Sequence, residues 1–145
     1  MKWIDRVLQD LRFAQVKPYV NARSRVLDVG CLDGALEKKL GPFADYCGLD
    51  PSAPTRPRDG VRFLTGTFPH PDVPPDAFDV LTALAVLEHV PRDEQLAFAD
   101  ACRRVLAPGG RLVSTVPSPL VDPILDVLMK LRFADGLATE QHYGF

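Results

Sequence analysis

A parallel, doubly wound α/β sheet is the fold this sequence predicts, and three observations carry the prediction. Short apolar runs recur along the chain, each bounded by glycine, proline or an acid, as strands are. Between them lie either stretches with apolar residues at helical spacing or proline-broken loops, the alternation expected of parallel strands joined by crossovers. The first run, Val26-Leu27-Asp28-Val29, passes through an acid into the turn Gly30-Cys31-Leu32-Asp33-Gly34 and then into a helix. That order puts backbone amides at a strand's carboxyl end, where an open α/β sheet binds its ligand.

Each element has its own local justification. Ile4, Val7, Leu8, Leu11 and Ala14 fall at helical spacing, so the first 20 residues hold an amphipathic helix that ends before Pro18. A strand follows over residues 25–29. Asp33 is placed to cap the next helix, Lys38 and Lys39 complement its dipole, and Gly41-Pro42 stops it. The second strand spans residues 44–50. Three prolines in residues 51–57 put a loop where many parallel folds have a crossover helix. The third strand covers residues 61–65, and residues 68–76, with four prolines, run over the surface. Residues 78–83 are apolar almost throughout, the pattern of a strand buried on both faces. Residues 92–107 read as a helix whose stripe is Leu96, Ala99, Cys102 or Arg103, and Leu106. Pro108-Gly109-Gly110 ends it and turns the chain into a fifth strand over residues 111–116. Asp122 caps a last helix with Pro123 in its first turn, and Val121, Ile124, Leu125, Leu128 and Leu131 form its buried face.

Size and composition narrow the function. The 145 residues have the length of one domain, spanning 1–145, with enough apolar content for a real core. The net charge is −2, with acids and bases interspersed, so the basic stripe needed to bind nucleic acid through phosphates is absent. Cys31, Cys47 and Cys102 form no CxxC pair, and His70, His89 and His142 are too dispersed for a zinc cluster. No metal is expected, and the cysteines read as reduced thiols of a cytoplasmic protein. The charged opening Met1-Lys2-Trp3-Ile4-Asp5-Arg6 is not a secretory signal, and no apolar run approaches a membrane span.

Function is written into the strand ends. Asp50 closes the run Tyr46-Cys47-Gly48-Leu49-Asp50, and an acid about 20 residues after a glycine turn is placed to accept hydrogen bonds from ribose hydroxyls. The glycine turn and Asp50 together point to a nucleoside-containing cofactor. Glu88-His89 follows the fourth strand, and His89 is a candidate general base, since an imidazole titrates near neutrality. The plainer reading is that both residues start a helix or satisfy backbone groups.

These segments, with Phe78-Asp79-Val80, Glu88-His89-Val90-Pro91 and Arg104-Val105-Leu106-Ala107-Pro108-Gly109-Gly110, together resemble a class I S-adenosylmethionine-dependent methyltransferase of the small-molecule type over roughly residues 20–120. The resemblance implies a Rossmann-like sheet of strand order 3-2-1-4-5, S-adenosylmethionine as cofactor and a small-molecule methyl acceptor. It places Asp28 at the cofactor's ammonium group, directly or through water, and Gly30, Cys31, Leu32 and Gly34 along its methionine part. Asp50 would hold the ribose, Pro51 and Ser52 would lie near the adenine, and Thr67 and Phe68 would flank the base. Ala83 and Leu84 would pass beneath the methionine chain.

The sequence departs from that family in three places. Leu32 stands where a second glycine is usual, so the loop must be wider or turned differently. Thr67 takes the place of a common aspartate at the adenine amino group. The third departure is at the end: two further strands that form an antiparallel hairpin beside the fifth are missing after Gln141-His142-Tyr143-Gly144-Phe145, so the chain reads as a fragment or as one whose open edge a partner covers. A homodimer through that edge or the last helix is one such arrangement. Two other functions compete with methyl transfer: a non-catalytic binding or scaffold module of the same fold, and an NAD-dependent oxidoreductase. The latter fits less well, because the turn lacks the three-glycine pattern that seats a pyrophosphate.

Overall fold

A computed structural model describes residues 3–55 and 58–116. The last helix, with Asp122 and Pro123, and the terminal residues His142 and Tyr143 lie outside the described residues. The helix expected at the start is α1, Trp3–Val16, continued by a 3-10 turn over Lys17–Tyr19 that contains Pro18. The strands are β1 (Arg25–Val29), β2 (Asp45–Asp50), β3 (Val61–Thr65), β4 (Phe78–Leu84) and β5 (Leu106–Thr115). Between β1 and β2 lies α2, Ala35–Leu40, and between β4 and β5 lies α3, Gln95–Val105. The sheet order is β3-β2-β1-β4-β5 with every pair parallel, as the resemblance implied. Strand order therefore reverses between β1 and β4, and the crevice of such a sheet opens there, beyond the carboxyl ends.

Both faces of the sheet are covered. Leu27, Val29, Cys47, Leu81 and Ala83 pack with Phe98, Cys102 and Val105 of α3 on one side. Val26 and Tyr46 pack with Phe13 and Val16 of α1 and Leu36 of α2 on the other. Leu27, Tyr46, Phe78 and Leu81 are fully buried, and removing each such side chain from water contributes about 1.5–3 kcal/mol. No described helix is long and apolar enough to cross a membrane.

Three local expectations are corrected. Asp33 does not cap α2: Gly34 holds the N-cap position in the left-handed conformation, and Asp33 instead pairs with Lys38 at 2.7 Å. Both side chains of that pair are exposed, so it contributes at most about 1 kcal/mol. On α3 the buried positions are Phe98, Ala101, Cys102 and Val105, while Leu96 is 75% exposed. The helix begins at Gln95, and its apolar residues fit two phases of the helical repeat; packing against the sheet selects the second. Finally, Leu106-Ala107-Pro108-Gly109-Gly110 is part of β5 and not a turn before it. Phe78 pairs with Leu106 and Val80 with Arg111, so residues 107–110 oppose Asp79 alone. Pro108 lacks an N–H, and this bulge seats it without losing a ladder bond.

Candidate functional site

The turn after β1 is bonded to the end of β2. Gly30 N–H donates to the Leu49 carbonyl at 2.8 Å, and Leu32 N–H donates to Asp50 Oδ2 at 3.1 Å. Asp50 Oδ1 accepts the Ser52 N–H at 2.7 Å, which closes the turn that begins at Pro51. The acid is 7% exposed, yet among the described residues each oxygen has a single partner, and a carboxylate offers about four acceptor directions. Two directions are thus left for donors arriving from the crevice. The Gly66 N–H donates to the Asp50 carbonyl at 3.2 Å and ties the end of β3 to the same point.

The turn requires glycine twice. Gly30 has φ +78, and a Cβ there would lie 2.6 Å from Val86 Cγ2. Gly34 has φ +75, and its Cβ would lie 2.9 Å from the Phe63 ring. Both departures from the right-handed backbone would strain any other residue. Leu32 adopts φ +48 without being glycine, and Ala85, just past β4, adopts φ +56. Two strained residues therefore flank the β1–β4 crevice, a placement typical of ligand sites.

Asp28 sits below this turn, buried, on the α1–α2 face of the sheet. In register it pairs with Gly48 and Thr82, and Tyr46 lies two residues before Gly48 on the same face. Tyr46 Oη–H donates to Asp28 Oδ2 at 2.6 Å, and Thr82 Oγ1–H donates to Oδ1 at 2.7 Å. Burial pushes the Asp28 carboxyl up to about 6; the bonds from Tyr46 and Thr82 pull the other way, and the nearby charge of Asp50 adds to the rise. The Tyr46 phenol rises as well, through burial and then the Asp28 charge.

The remaining candidates are distributed as follows. Cys31 is buried with its sulfur against Gly48, where a Cβ would lie 2.6 Å from it. Burial, then the charges of Asp28 and Asp50, push its thiol pKa up, so it is no ready nucleophile. Thr67 is exposed beyond the end of β3. Phe68 packs edge-on against Phe98 of α3, ring centroids 5.1 Å apart, as part of the core. Ala83 is fully buried beside Val29, and Leu84, at the end of β4, is partly buried.

His89 is exposed, on the 3-10 turn Leu87–His89, while its neighbour Glu88 is buried. Sequence reasoning missed Tyr46 and Thr82. The signal was there for Thr82, the one hydroxyl in an otherwise apolar strand save for its edge acid Asp79. Among the described residues, no three His, Cys, Asp or Glu side chains group to hold a metal. A hollow of about 280 Å³ lined by Tyr19, Arg23, Asp79 and Arg111, among others, lies at the opposite, amino-terminal end of the strands and includes none of the candidates.

Comparison with known proteins follows the same lines. The family described as "Methyltransferase domain" matches residues 2–145. A ubiquinone biosynthesis O-methyltransferase of Psychrobacter cryohalolentis is 34% identical over 131 residues, covering 79% of this chain and 50% of the relative. The chain thus spans about half the length of the curated relatives it matches. Among solved structures, an S-adenosylmethionine-dependent methyltransferase from Mesorhizobium loti superposes with a TM-score of 0.61 at 21% identity, covering 78% of this chain and 54% of that one. The [4+2]-cyclase SpnF superposes with a TM-score of 0.60 at 19% identity, covering 80% and 47%. At such identities the structural likeness concerns the fold alone.

Proposed function

The chain belongs to the methyltransferase-domain family, and from that premise we propose that it binds S-adenosylmethionine beyond the carboxyl ends of β1 and β2 and methylates a hydroxyl of a small-molecule acceptor. The observation that carries the reading is the coupling of Asp50 to the glycine turn through the Leu32 N–H, with free acceptor directions left on the same carboxylate. The donor set fits the cofactor's chemistry. A diol needs acceptors, which Asp50 supplies, and a cationic group is favoured near the two acids Asp28 and Asp50. The hydroxyl acceptor is supported by the relative from P. cryohalolentis, an O-methyltransferase by name.

When bound, S-adenosylmethionine supplies an electrophilic methyl on a sulfonium, and the chemistry asks the protein mainly for alignment and exclusion of water. In this chain Asp50 orients the sugar, the backbone of residues 30–34 forms the floor, and Tyr46 and Thr82 hold Asp28 in one rotamer. Leu84 offers a partly buried apolar side chain at the end of β4, with Ala83 packed in the core beside it, and His89, exposed on the turn that follows, is the candidate base.

Calorimetric titration with S-adenosylhomocysteine tests the reading. We expect micromolar binding, weakened about 10-fold or more by Asp50→Asn, which keeps the shape and removes the charge. The absence of heat at millimolar ligand rejects it. A binding module without transfer is the second reading, favoured by the strained Leu32 where the family's turn is usually glycine. It predicts the same titration but no methyl transfer from labelled cofactor to any of a panel of phenols.

A further inference from the structure

Glu88 is buried to 5% exposure, and its Oε2 is the buried side-chain oxygen without any hydrogen-bond partner among the described residues. Its surroundings do not explain it as a structural group. The backbone bonds that close the turn, His89 N–H to the Val86 carbonyl at 2.9 Å and Val90 N–H to the Leu87 carbonyl at 3.1 Å, do not involve the Glu88 side chain. Asp28 and Asp50, the other buried acids of this region, each have a donor on both oxygens. A buried carboxylate with an unmade bond destabilises the fold, so such a group persists where something other than the described residues completes it.

Its position says what that something meets. The loop after β4 lies on the glycine turn, with Val86 Cγ2 in the space a Gly30 Cβ would take, and it is anchored to β5 by Ala85 N–H donating to the Thr115 carbonyl at 2.9 Å. Glu88 lies two residues beyond Val86, on the turn that follows the carboxyl end of β4, and β4 and β2, which ends in Asp50, flank β1 on opposite sides. Its neighbours in sequence, Val86, Leu87 and Val90, are partly buried hydrophobics packed on the core. An apolar loop with one unsatisfied carboxylate suits an apolar molecule that brings one hydrogen-bond donor.

We propose that Glu88 anchors the methyl acceptor: its carboxylate receives a hydrogen bond from a free hydroxyl on an aromatic acceptor and selects acceptors that carry one. This rests on the methyltransferase reading above and adds the residue that recognises the substrate. Glu88 acts here as a binding group, and no proton need leave the acceptor for the anchor to form.

The test measures binding of catechol and of its dimethyl ether, 1,2-dimethoxybenzene, to the chain saturated with S-adenosylhomocysteine. Wild type should prefer catechol by about 10-fold or more, the difference of one buried charge-assisted hydrogen bond. Glu88→Met, of similar shape and apolar, should lose that preference. It should leave S-adenosylhomocysteine affinity within about 2-fold and should not lower the thermal midpoint, as loss of a structural group would. Glu88→Gln retains a neutral acceptor oxygen, should keep part of the preference, and serves if the methionine variant does not fold.

The proposal is overturned if both variants keep the wild-type preference. It is also overturned if cofactor-product affinity falls with catechol affinity, or if wild type binds S-adenosylhomocysteine and does not distinguish the two probes. Failure of the wild-type chain to bind S-adenosylhomocysteine overturns the methyltransferase reading itself and this anchor with it.

Discussion

Replacing Asp28 by asparagine should make the chain more stable and less able to bind its cofactor. The carboxyl titrates at about 6 in the folded chain against an ordinary 3.8, because burial disfavours its charge more than Tyr46 and Thr82 favour it. The folded state therefore holds a proton that the unfolded state releases between about pH 4 and pH 6, and stability falls as pH rises through that window. At 1.36 kcal/mol per unit, the ionised group costs about 3 kcal/mol at pH 8 and about 1 kcal/mol at pH 4.5. Asparagine does not ionise and has the same shape. Its carbonyl can still accept from Tyr46, and its amide can donate to Thr82 Oγ1, whose own proton turns to the Leu27 carbonyl at 3.4 Å.

Imperfect re-bonding takes part of the benefit, so we expect Asp28→Asn to stabilise by about 1–3 kcal/mol at pH 8 and by under about 1 kcal/mol at pH 4.5. Urea unfolding followed by circular dichroism at the two pH values measures this, and calorimetry with S-adenosylhomocysteine at pH 8 should show affinity lost. A variant less stable than wild type at pH 8, or displaced equally at both pH values, would refute the claim that burial of a charge dominates here.

Three further substitutions probe the same region. Tyr46→Phe keeps the buried ring and removes one donor to Asp28, so it should cost about 1.5–3 kcal/mol at pH 8 and less at pH 4.5, where the carboxyl is protonated; the same urea curves read it. Gly30→Ala places a Cβ 2.6 Å from Val86 Cγ2 at φ +78 and should destabilise by about 2–4 kcal/mol, seen as a lower thermal midpoint and lost cofactor-product binding. Leu32→Gly removes a left-handed strain of about 1–2 kcal/mol and adds about 0.5–1 kcal/mol of unfolded-chain entropy. Because Leu32 has φ +48 and is 42% exposed, a small net rise in the urea midpoint is expected, and a fall of more than about 1 kcal/mol would contradict the strain.

The strands were legible because each is a short apolar run cut off by glycine, proline or an acid. β1 and β3 fall where the residues alone put them, at 25–29 and 61–65. Asp28 and Asp50 were legible because an acid stands out at the end of such a run. Apart from the cap expected of Asp33, what failed depends on a neighbour distant in sequence. The face of α3 was misread because Leu96, Phe98, Ala99, Ala101, Cys102, Val105 and Leu106 support two stripes, and only the sheet chooses between them. Tyr46 and Thr82 reach Asp28 from two different strands, through a register that no local pattern encodes. Glu88 was read beside His89 as a helix start, since burial of a charged residue cannot be seen in its identity.

The strand order carries a last consequence, for how the molecule is made. β1 and β2 are close in sequence, but the partner on the other side of β1 is β4, and the Thr82–Asp28 bond spans 54 residues. Closing so long a loop costs chain entropy before any contact rewards it, so parallel sheets of this order assemble slowly. The crevice has one wall from each side of that closure and so does not exist in part. A chain in which β4 has not docked should bind no cofactor at all, and ligand binding then draws the whole folding equilibrium toward the native state by mass action. Cofactor affinity is, for this architecture, also a measure of how completely the chain has folded.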